Sequence, residues 1–468
     1  MKSEQYSLKP LSELCEFRRG LTYKKGDQVE LSSTPVLRAT NISLDSNELI
    51  LDDLRYISDE FVVPENKMVI PESILMCISS GSKKHLGKVA FIEDIEPLAF
   101  GGFMGLLVPK SEIYPKYLYY SLISPMFRDW IAKLSDGTNI NNLNFSKIEN
   151  FQIRLPPFDQ QKRIARMLDE ASANIYDSLA ESRRRSQSGK EFYDSCADLA
   201  VNGKLVPQDQ NEESGAQLLE HIIQQRETLW NLAEDEKMAV APNRARRSKY
   251  KKARPIIIDK LPEIPSNWVW ASLDELSYFV IDYRGKTPPT SGTGIPIISA
   301  ANVREGFVDL SPPRFVSEET YNLWSVRGEP KAGDILITTE APVGRTAIYP
   351  ENTKYLLTRR ILGARLNERC NPEYIRLCLS AGFTAKRIAW HSHGATVPRI
   401  LKPNLFSVPI PFPPFEEQNR IMQHMREVSQ LVNSMENKCR VKIESLDEFK
   451  QSILQEAFNG NLTKEITA

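Results

Sequence analysis

The chain has 468 residues, a length typical of two or three domains. Its apolar content of 41% suits ordinary globular cores, and its 60 basic and 60 acidic residues exclude a uniformly basic surface but not a local nucleic-acid-binding patch. Six scattered cysteines without a CxxC pair indicate free thiols and disfavour both a disulfide framework and a zinc site. The sequence has neither an apolar run of about 18 residues nor a signal-like N-terminus, so we expect a soluble, cytoplasmic protein.

Residues 1–155 contain short β-type runs that are separated by glycine, proline and asparagine. Ile74-Leu75-Met76 and Gly105-Leu106-Leu107-Val108 are two examples. This spacing predicts a first globular domain of mixed α/β or α+β type with many loops.

Residues 156–205 predict one long helix. Pro156 and Pro157 end the strand region, and Asp159 follows at the expected first turn, where a carboxylate suits the helix dipole. Asn202-Gly203 is a typical C-terminal stop. Such a helix has about 40 residues and is roughly 60 Å long. Its predicted apolar stripe, close to a heptad seam, consists of Ile164, Leu168, Ala171, Ile175, Leu179, Phe192 and Cys196.

Residues 206–262 predict a helix and a basic stretch between the two larger parts. The helix is expected over 215–238, where apolar residues recur at helical spacing. The basic stretch is either a solvated linker or a flexible strap that touches phosphate or a partner when nucleic acid is bound. Its basic residues are Arg244, Arg246, Arg247, Lys249, Lys251, Lys252 and Arg254, between Pro242 and Pro255.

Residues 263–412 and 413–468 repeat the first domain and the first helix. The segment Leu155–Ile164 matches Phe412–Ile421 without a gap, 257 positions apart (155 and 412). The second apolar stripe consists of Ile421, Met425, Val428, Val432, Met435, Ile443, Leu446, Phe449 and Ile453, and Asn459-Gly460 is the second stop. Two narrow stripes in one chain most simply bury each other, and an antiparallel pairing would place the two domains at opposite ends of a rod.

Weaker matches continue inside the two domains, with small gaps. They pair Arg19-Gly20-Leu21-Thr22 with Arg284-Gly285-Lys286-Thr287, Pro35–Asn41 with Pro296–Asn302, and Gly87-Lys88-Val89-Ala90 with Gly344-Arg345-Thr346-Ala347. Framework positions recur while the residues between them differ. The chain therefore presents two related surfaces.

Four near-motifs for catalysis or metal binding each lack an essential group. Leu155 and Phe412 stand where an amino-methyltransferase loop needs a hydrogen-bond acceptor, and no convincing glycine-rich loop for S-adenosylmethionine exists. Gly81–Val89 resembles a phosphate loop but has one residue too many between its glycines, and Val89 replaces the hydroxyl residue that would bind magnesium. His391-Ser392-His393 lacks an evident third metal ligand, and Glu65-Asn66-Lys67 is a nuclease-like triplet that is common by chance. The sequence therefore favours recognition without chemistry.

A DNA-reading surface needs basic, amide or hydroxyl side chains on exposed loops. For each candidate the alternative is an ordinary solvated residue, and Asn41 and Asn302 may instead complete turns. The candidates are Arg19, Thr22, Arg38, Asn41, Lys83, Lys84 and Lys88 in the first domain and Arg284, Lys286, Thr287, Asn302, Arg345, Arg359 and Arg360 in the second.

Over essentially its whole length, the chain resembles the specificity subunit of a type I restriction-modification system. The strongest carriers are the Pro-Pro-Phe helix entries at 156–158 and 413–415, Asn202–Pro207 and Ser452–Gly460. The resemblance implies an α+β fold in which two pseudo-repeated α/β target recognition domains are joined by two long antiparallel coiled-coil helices. Departures are modest: the second copy has Asn461-Leu462-Thr463-Lys464 in place of the Lys-Leu-Val-Pro tail.

The resemblance also implies a function and partners. Each target recognition domain would read one half of an asymmetric, bipartite double-stranded DNA site, and the helices would set the spacing and dock two modification (methyltransferase) subunits. The chain itself would bind no cofactor and no metal, because S-adenosylmethionine and ATP belong to the modification and the restriction/translocase subunits. The chain would thus be a non-catalytic subunit of an antiphage defence complex.

Two other classes of function remain open from the residues alone. A coiled-coil adaptor with two ligand-binding lobes predicts no salt-dependent DNA affinity and no methyltransferase partner. A self-sufficient modification enzyme predicts that this chain alone binds S-adenosylmethionine, which the absence of the necessary loop disfavours.

Overall fold

The computed structural model describes residues 6–93, 96, 98–135, 142–240, 245–254, 256, 260–283, 286–394 and 397–462. The chain divides into two compact units. The first unit comprises Met1–Arg185 together with Asn437–Ala468, and the second comprises Ser186–Glu436. Among the described helices, none is long and apolar enough to cross a membrane.

The first half of the chain forms short strands, short helices and then one long helix, as its sequence predicts. The strands are β1 Ser7–Pro10, β2 Cys15–Arg19, β3 Gln28–Val29, β4 Thr34–Leu37, β5 Arg55–Ile57, β6 Ile74–Cys77, β7 Val89–Phe91, β8 Ala99–Phe100, β9 Met104–Pro109 and β10 Gln152–Leu155. The helices are α1 Leu11–Leu14, α2 Pro115–Ile123, α3 Pro125–Ser135, α4 Phe145–Ile148 and α5 Phe158–Val201.

In the first unit these strands form three sheets. Their orders are β2-β9-β6-β7, β3-β5-β4-β8 and the pair β1-β10. One face of the first sheet packs with α2, α3 and the helix segments of this unit around Phe127, Leu168 and Leu454, all of which are buried. This is the mixed α/β domain that the short β-type runs predict.

The second half of the chain begins with a helix between the copies and then repeats the same series. The helices are α6 Gly215–Val240, α7 Leu273–Leu276, α8 Glu318–Trp324, α9 Pro372–Ser380, α10 Gly382–Trp390, α11 Lys402–Phe406 and α12 Phe415–Asn459. The strands are β11 Val269–Ser272, β12 Ser277–Asp282, β13 Ile295–Ile298, β14 Phe315–Val316, β15 Ile335–Thr339, β16 Val343–Ile348, β17 Leu356–Leu357, β18 Ile361–Leu366 and β19 Pro409–Phe412.

The sheets of the second unit repeat the connectivity of the first, except that an isolated bridge between Ser291 and Phe315 stands in the place of β3. Their orders are β12-β18-β15-β16, β14-β13-β17 and the pair β11-β19. The offset between equivalent residues is 261 in the sixth strand of the first half (Met76 and Ile337) and 257 in the ninth (Gly105 and Leu362), since each pair occupies the same place in the strand register. The repeat seen in the sequence is therefore a repeat of the whole domain.

The offset changes inside a single hairpin loop. Met76 pairs with Val89 across β6 and β7, and Ile337 pairs with Thr346 across β15 and β16. Residues 77–88 lie between the first pair and residues 338–345 between the second, a difference of four (12 against 8). The first domain thus has a longer β6–β7 loop, which carries Lys83 and Lys84.

The glutamine of each Pro-Pro-Phe helix entry is a buried clamp. Gln161 accepts a hydrogen bond from the Tyr114 amide (2.7 Å) and donates to the carbonyl of Pro156 (2.9 Å). Gln418 accepts from the Asn371 amide (2.8 Å) and donates to the Pro413 carbonyl (3.1 Å). Each glutamine thus joins the segment just before its long helix to the residue just before α2 or α9, so the repeated motif fixes the long helix to its own domain.

The two long helices have 44 and 45 residues, and segments of them lie antiparallel within each unit. In the first unit Tyr176 meets Lys450, while Leu168 packs with residues of 454–458. In the second unit Gly189 lies against Met435 and Val432, while residues of 196–201 pack with 421–425. The predicted antiparallel pairing is confirmed.

Most of the predicted stripe on the first helix is buried, but one residue in each helix is not. Ile164, Leu168, Ile175 and Leu179 are all less than a tenth exposed. The prediction is wrong for Phe192 and Phe449, which are 52% and 54% exposed. In the seam of the first helix Ser182 is buried, and Gly189 packs against the Met435 side chain, whose terminal methyl group would have to move to admit a Cβ.

Both helices end at the predicted Asn-Gly pairs. Gly203 and Gly460 have φ values of +67° and +80°. The next amides, of Lys204 and Asn461, return to the carbonyls of Leu199 (2.9 Å) and Glu456 (3.1 Å). This left-handed C-terminal cap is one that glycine adopts without steric cost.

The basic stretch that follows α6 is fixed to that helix over residues 245–254. Arg226 of α6 donates to the Lys251 carbonyl (2.8 Å), and the buried Glu234 accepts from the Ser248 amide (2.7 Å). Of the two interpretations that the sequence leaves open, neither included this packing on α6, although the side chains of Arg246, Lys249, Lys251 and Lys252 remain exposed. Arg244 and Pro255 lie outside the described residues.

Candidate nucleic-acid interface

The end of β2 approaches the turn between β8 and β9 in the first domain. The Leu21 amide donates to the Phe100 carbonyl (2.7 Å), and the Gly20 amide donates to the Met104 carbonyl (3.1 Å). A Cβ on Gly20 would lie only 2.0 Å from the Gly101 carbonyl oxygen, so a residue other than glycine would force the two segments apart. This close approach places the exposed Arg19 and Thr22 beside the turn Gly101-Gly102-Phe103.

The long β6–β7 loop meets the same turn. The amides of Ile78 and Ser79 both donate to the Phe103 carbonyl, at 3.0 and 3.1 Å. Lys83 and Lys84 follow in the same loop with exposed side chains. We call residues 19–22, 78–84 and 101–103 the first loop cluster; it unites four predicted DNA-reading residues, Arg19, Thr22, Lys83 and Lys84.

The second domain has the same backbone frame with other side chains. The Thr339 amide donates to the Arg360 carbonyl (2.9 Å), which is the counterpart of the bond from Ile78 to Phe103. The Thr358 amide donates to the Ile298 carbonyl (3.0 Å), as the Gly101 amide does to Leu37 (2.9 Å). We call residues 286–287, 339–341 and 358–360 the second loop cluster.

A cavity of about 220 Å³ marks the second loop cluster. Thr287, Arg359 and Arg360 line it, together with the exposed Arg314. Arg360 has a φ of +76°, and its guanidinium lies 3.0 Å from the Glu340 carboxylate. The other basic side chains that line the cavity are those of Arg314 and Arg359. Sequence reasoning missed Arg314 because the sequence matches between the copies did not extend to this strand, where the register makes the exposed Arg55 its counterpart in the first domain.

The prediction that Lys88 lies on an exposed loop is wrong. Its side chain is 2% exposed, and its Nζ donates to the Ile42 carbonyl at 2.7 Å. Burial lowers the pKa of this amine. Arg345, its match in the sequence repeat, lines a different cavity of about 860 Å³ with Arg376 and Lys386, so neither residue joins its loop cluster.

Asn41 and Asn302 complete turns, which is one of the two interpretations that the sequence leaves open. Asn41 is 1% exposed; its Oδ1 accepts from the Arg38 amide (2.8 Å) and its Nδ2 donates to the Ile50 carbonyl (2.8 Å). Asn302 makes the equivalent bonds to the Ser299 amide (2.9 Å) and the Asp309 carbonyl (2.8 Å). Their side chains are thus used by the backbone.

The remaining predicted DNA-reading residues are placed as follows. Arg38 is half-buried and donates to the Asp53 carboxylate at 3.0 Å. Lys286 is exposed and adjoins Thr287 in the second loop cluster. Arg284 lies outside the described residues. Phe103 was missed, because the sequence search considered only side chains that form hydrogen bonds.

The structure places the residues of the near-motifs for catalysis and metal binding as follows. Leu155 and Phe412 end the strands β10 and β19, opposite Ser7 and Val269. His391 contacts Arg387 (Nε2 to Nη2, 3.4 Å), and burial lowers its pKa. Among the described residues no group of three or more His, Cys, Asp or Glu side chains could hold a metal ion, and the six cysteines are buried and form no disulfide.

Comparison with known proteins gives the same family that the sequence motifs resemble. A family described as type I restriction modification DNA specificity domain matches residues 3–181 and 265–445. The EcoKI type I restriction enzyme specificity subunit of Escherichia coli K12 is 26% identical, over 99% of this chain and 90% of that protein. The StySPI type I restriction enzyme specificity subunit of Salmonella potsdam is 31% identical over 45% of this chain and 46% of that protein.

A solved structure supports the fold independently of sequence. A chain from a structural study of assembly and conformational transition in the type I R-M system superimposes with a TM-score of 0.64 at 16% identity, covering 98% of this chain and 99% of that one. The family consists of DNA-recognition subunits, which agrees with the prediction of a non-catalytic protein. The chain therefore belongs to the type I restriction-modification DNA specificity family, with one specificity domain in each half.

Proposed function

We propose that the two loop clusters each read one half of an asymmetric, bipartite double-stranded DNA site. The observation that carries this proposal is a shared backbone frame with different side chains: Gly101-Gly102-Phe103 in one domain and Thr358-Arg359-Arg360 in the other. Equivalent frames can approach DNA in the same way, while different side chains at their tips select different bases. The two half-sites should therefore differ in sequence.

The charge around each loop cluster supports binding to DNA. The chain has no net charge, yet Arg19, Lys83 and Lys84 are exposed in the first loop cluster. Lys286, Arg314 and Arg359 are exposed in and beside the second. Local positive charge attracts phosphate even on a neutral protein, and this attraction weakens as salt concentration rises.

Two modification subunits would dock on the long helices. Phe192 and Phe449 are 257 positions apart in the repeat, and each is more than half exposed in its own unit. An exposed aromatic residue that recurs at the same place of a duplicated helix suits two identical contacts with two copies of one partner. The modification subunits would supply S-adenosylmethionine, and restriction/translocase subunits would supply ATP, so this chain would bind neither. Such a complex would act in the cytoplasm.

The most informative experiment maps the DNA sequence that the chain specifies. The chain is co-expressed with the methyltransferase subunit encoded beside it, and methylated adenines are mapped across the genome. The expected motif is split, with two different halves and a fixed gap. Exchanging residues 1–155 for those of a relative should change only one half.

Two outcomes would overturn the proposal. Methylation that is independent of this chain would remove its role in specificity. A chain that binds no DNA at low salt and co-purifies with no methyltransferase would instead behave as an adaptor protein. Phe192→Ala and Phe449→Ala variants, each tested alone, should each weaken the docking of one methyltransferase copy, as measured by the stoichiometry of the purified complex.

A further inference from the structure

Phe103 is an exposed apolar side chain in the first loop cluster, whose other exposed side chains are polar. It is 70% exposed, so packing in the core does not explain it. Its neighbours in the cluster include the exposed Arg19, Thr22 and Lys84. Single exposed apolar residues are common on protein surfaces, so it is the position of this ring among basic side chains on a hydrogen-bonded turn, and not its exposure alone, that points to a contact with a partner.

Hydrogen bonds hold the backbone that carries this ring in a fixed place. Two amides, of Ile78 and Ser79, bind the Phe103 carbonyl (3.0 and 3.1 Å), and the Met104 amide binds the Gly101 carbonyl (2.8 Å). The close approach of Gly20 to Gly101 closes the turn from the other side. A side chain on such a frame loses little conformational freedom on binding, which suits a recognition element.

The residue at the equivalent position of the second domain points to the kind of partner that suits this place. Arg360 takes the place of Phe103, since the amides of Thr339 and Ile78 bind equivalent carbonyls. Arginine most often reads guanine in the major groove, whereas phenylalanine contacts the 5-methyl group of thymine there. The basic side chains around Phe103 favour DNA over an apolar protein surface as the occupant.

We propose that Phe103 is a specificity-determining residue that contacts the 5-methyl group of a thymine in the first half-site. The inference rests on the proposed function, because it requires that the first loop cluster enters the major groove. It goes further by naming the chemical group that one side chain reads.

The test replaces single thymines by uracil, which differs only in lacking that methyl group. Binding of the full chain, in complex with its methyltransferase subunit, is measured on duplexes carrying the mapped motif. At one position of the first half-site, uracil should weaken binding by the wild-type protein by about fourfold, the factor expected from one buried methyl group. Phe103→Ala should bind the normal duplex about tenfold more weakly and lose the difference between thymine and uracil.

Two control variants separate reading from folding. Leu8→Ala truncates another large apolar side chain, 63% exposed on β1, and should leave both affinities unchanged. Phe103→Leu keeps an apolar contact and should retain part of the uracil effect. Equal unfolding temperatures for all variants establish that the loops are intact.

Several outcomes would overturn the inference while leaving the proposed function in place. They are a bipartite motif whose first half has no thymine that is sensitive to uracil, a Phe103→Ala variant with unchanged affinity, and a uracil effect that persists in Phe103→Ala. If no bipartite motif is bound at all, the proposed function itself fails.

Discussion

The two halves of the chain share the hydrogen bonds of their domain frames but differ in the side chains at their loop tips. Gln161 and Gln418 share two equivalent hydrogen bonds, and Tyr117 and Tyr374 donate to the equivalent carbonyls of Arg154 and Pro411, both at 2.8 Å. At the tips, Phe103 corresponds to Arg360. A buried polar group must keep its partners, whereas an exposed side chain is free to change chemistry. Duplication therefore preserved the supports and diversified the surface.

Between these extremes, some positions keep an interaction and change its chemistry. Lys116 of α2 binds Asp169 of α5 at 3.0 Å, while Glu373 of α9 binds Arg426 of α12 at 2.7 Å, with the charges reversed. Arg365 and Asp334 form a buried ion pair at 2.8 Å, where the strand register places Val108 and Ser73 in the first half. The residues at these positions in one half therefore indicate which substitutions the other half should accept.

The largest expected effect comes from lengthening both helices. We predict that inserting seven residues into α5 and seven at the facing level of α12 abolishes methylation of the original site. Both half-sites should persist, with a gap longer by about three base pairs, because seven residues add about 10.5 Å and a base pair spans about 3.4 Å. Genome-wide mapping of methylated adenine measures the gap. An unchanged gap would contradict a spacing role for the helices.

The next effect tests the buried ion pair. Arg365→Val alone leaves the Asp334 carboxylate, 2% exposed, without its guanidinium, and should lower the free energy of unfolding by about 3–5 kcal/mol. Adding Asp334→Ser copies the chemistry of the first half and should recover most of the loss. Chemical denaturation followed by circular dichroism gives both values. A double variant as unstable as the single one would show that the valine and serine of the first half cannot replace the ion pair in the second half.

The clamps should respond alike. Gln161→Ala and Gln418→Ala each leave buried backbone groups without partners, and each should cost about 2 kcal/mol of unfolding free energy. Local opening at the helix start, measured by hydrogen exchange at Tyr114 and Asn371, should increase in the matching domain only. Clearly unequal costs would break the equivalence of the two supports.

The smallest effect concerns the charge-reversed pair. Lys116→Glu brings two carboxylates together and should cost up to about 1 kcal/mol, since both side chains of the pair are about a third exposed. The double variant Lys116→Glu with Asp169→Arg copies the second half and should restore the stability. A double-mutant cycle in low salt measures the coupling, which added salt should reduce. Additive costs would mean that the pair contributes nothing.

The sequence predicts the repeated frame well because periodicity and caps act locally. Ile164, Leu168 and the Asn-Gly stops behave as predicted. The predicted buried stripe is wrong at Phe192, because a three- and four-residue period alone cannot decide which of two adjoining stripes on the helix is buried. The neighbouring helix makes that choice, through Gly189 against Met435.

The loop clusters were predictable only in part. Arg19 and Thr22 adjoin the critical turn because of a contact between Gly20 and Gly101, and nothing local in the sequence indicates this contact. Lys88 has the composition of a surface residue, yet its amine fits a carbonyl in the interior. Phe103 has the composition of a core residue and is exposed. Lys88 and Phe103 thus depart from the usual burial of their residue types, and the position of Arg19 and Thr22 depends on a contact between distant parts of the sequence.

The four-residue difference between the β6–β7 and β15–β16 loops has an evolutionary consequence. The pairs Ile74–Phe91, Leu75–Ala90 and Met76–Val89 recur as Ile335–Ile348, Leu336–Ala347 and Ile337–Thr346. The change in length is confined to the residues beyond these pairs, where the second domain has a register shift and one further pair, Thr339–Val343. Insertions and deletions at this point can therefore accumulate without loss of foldability. If the loop contacts DNA, a new target preference can arise from a small change in the coding sequence while the same scaffold continues to assemble with the same partners.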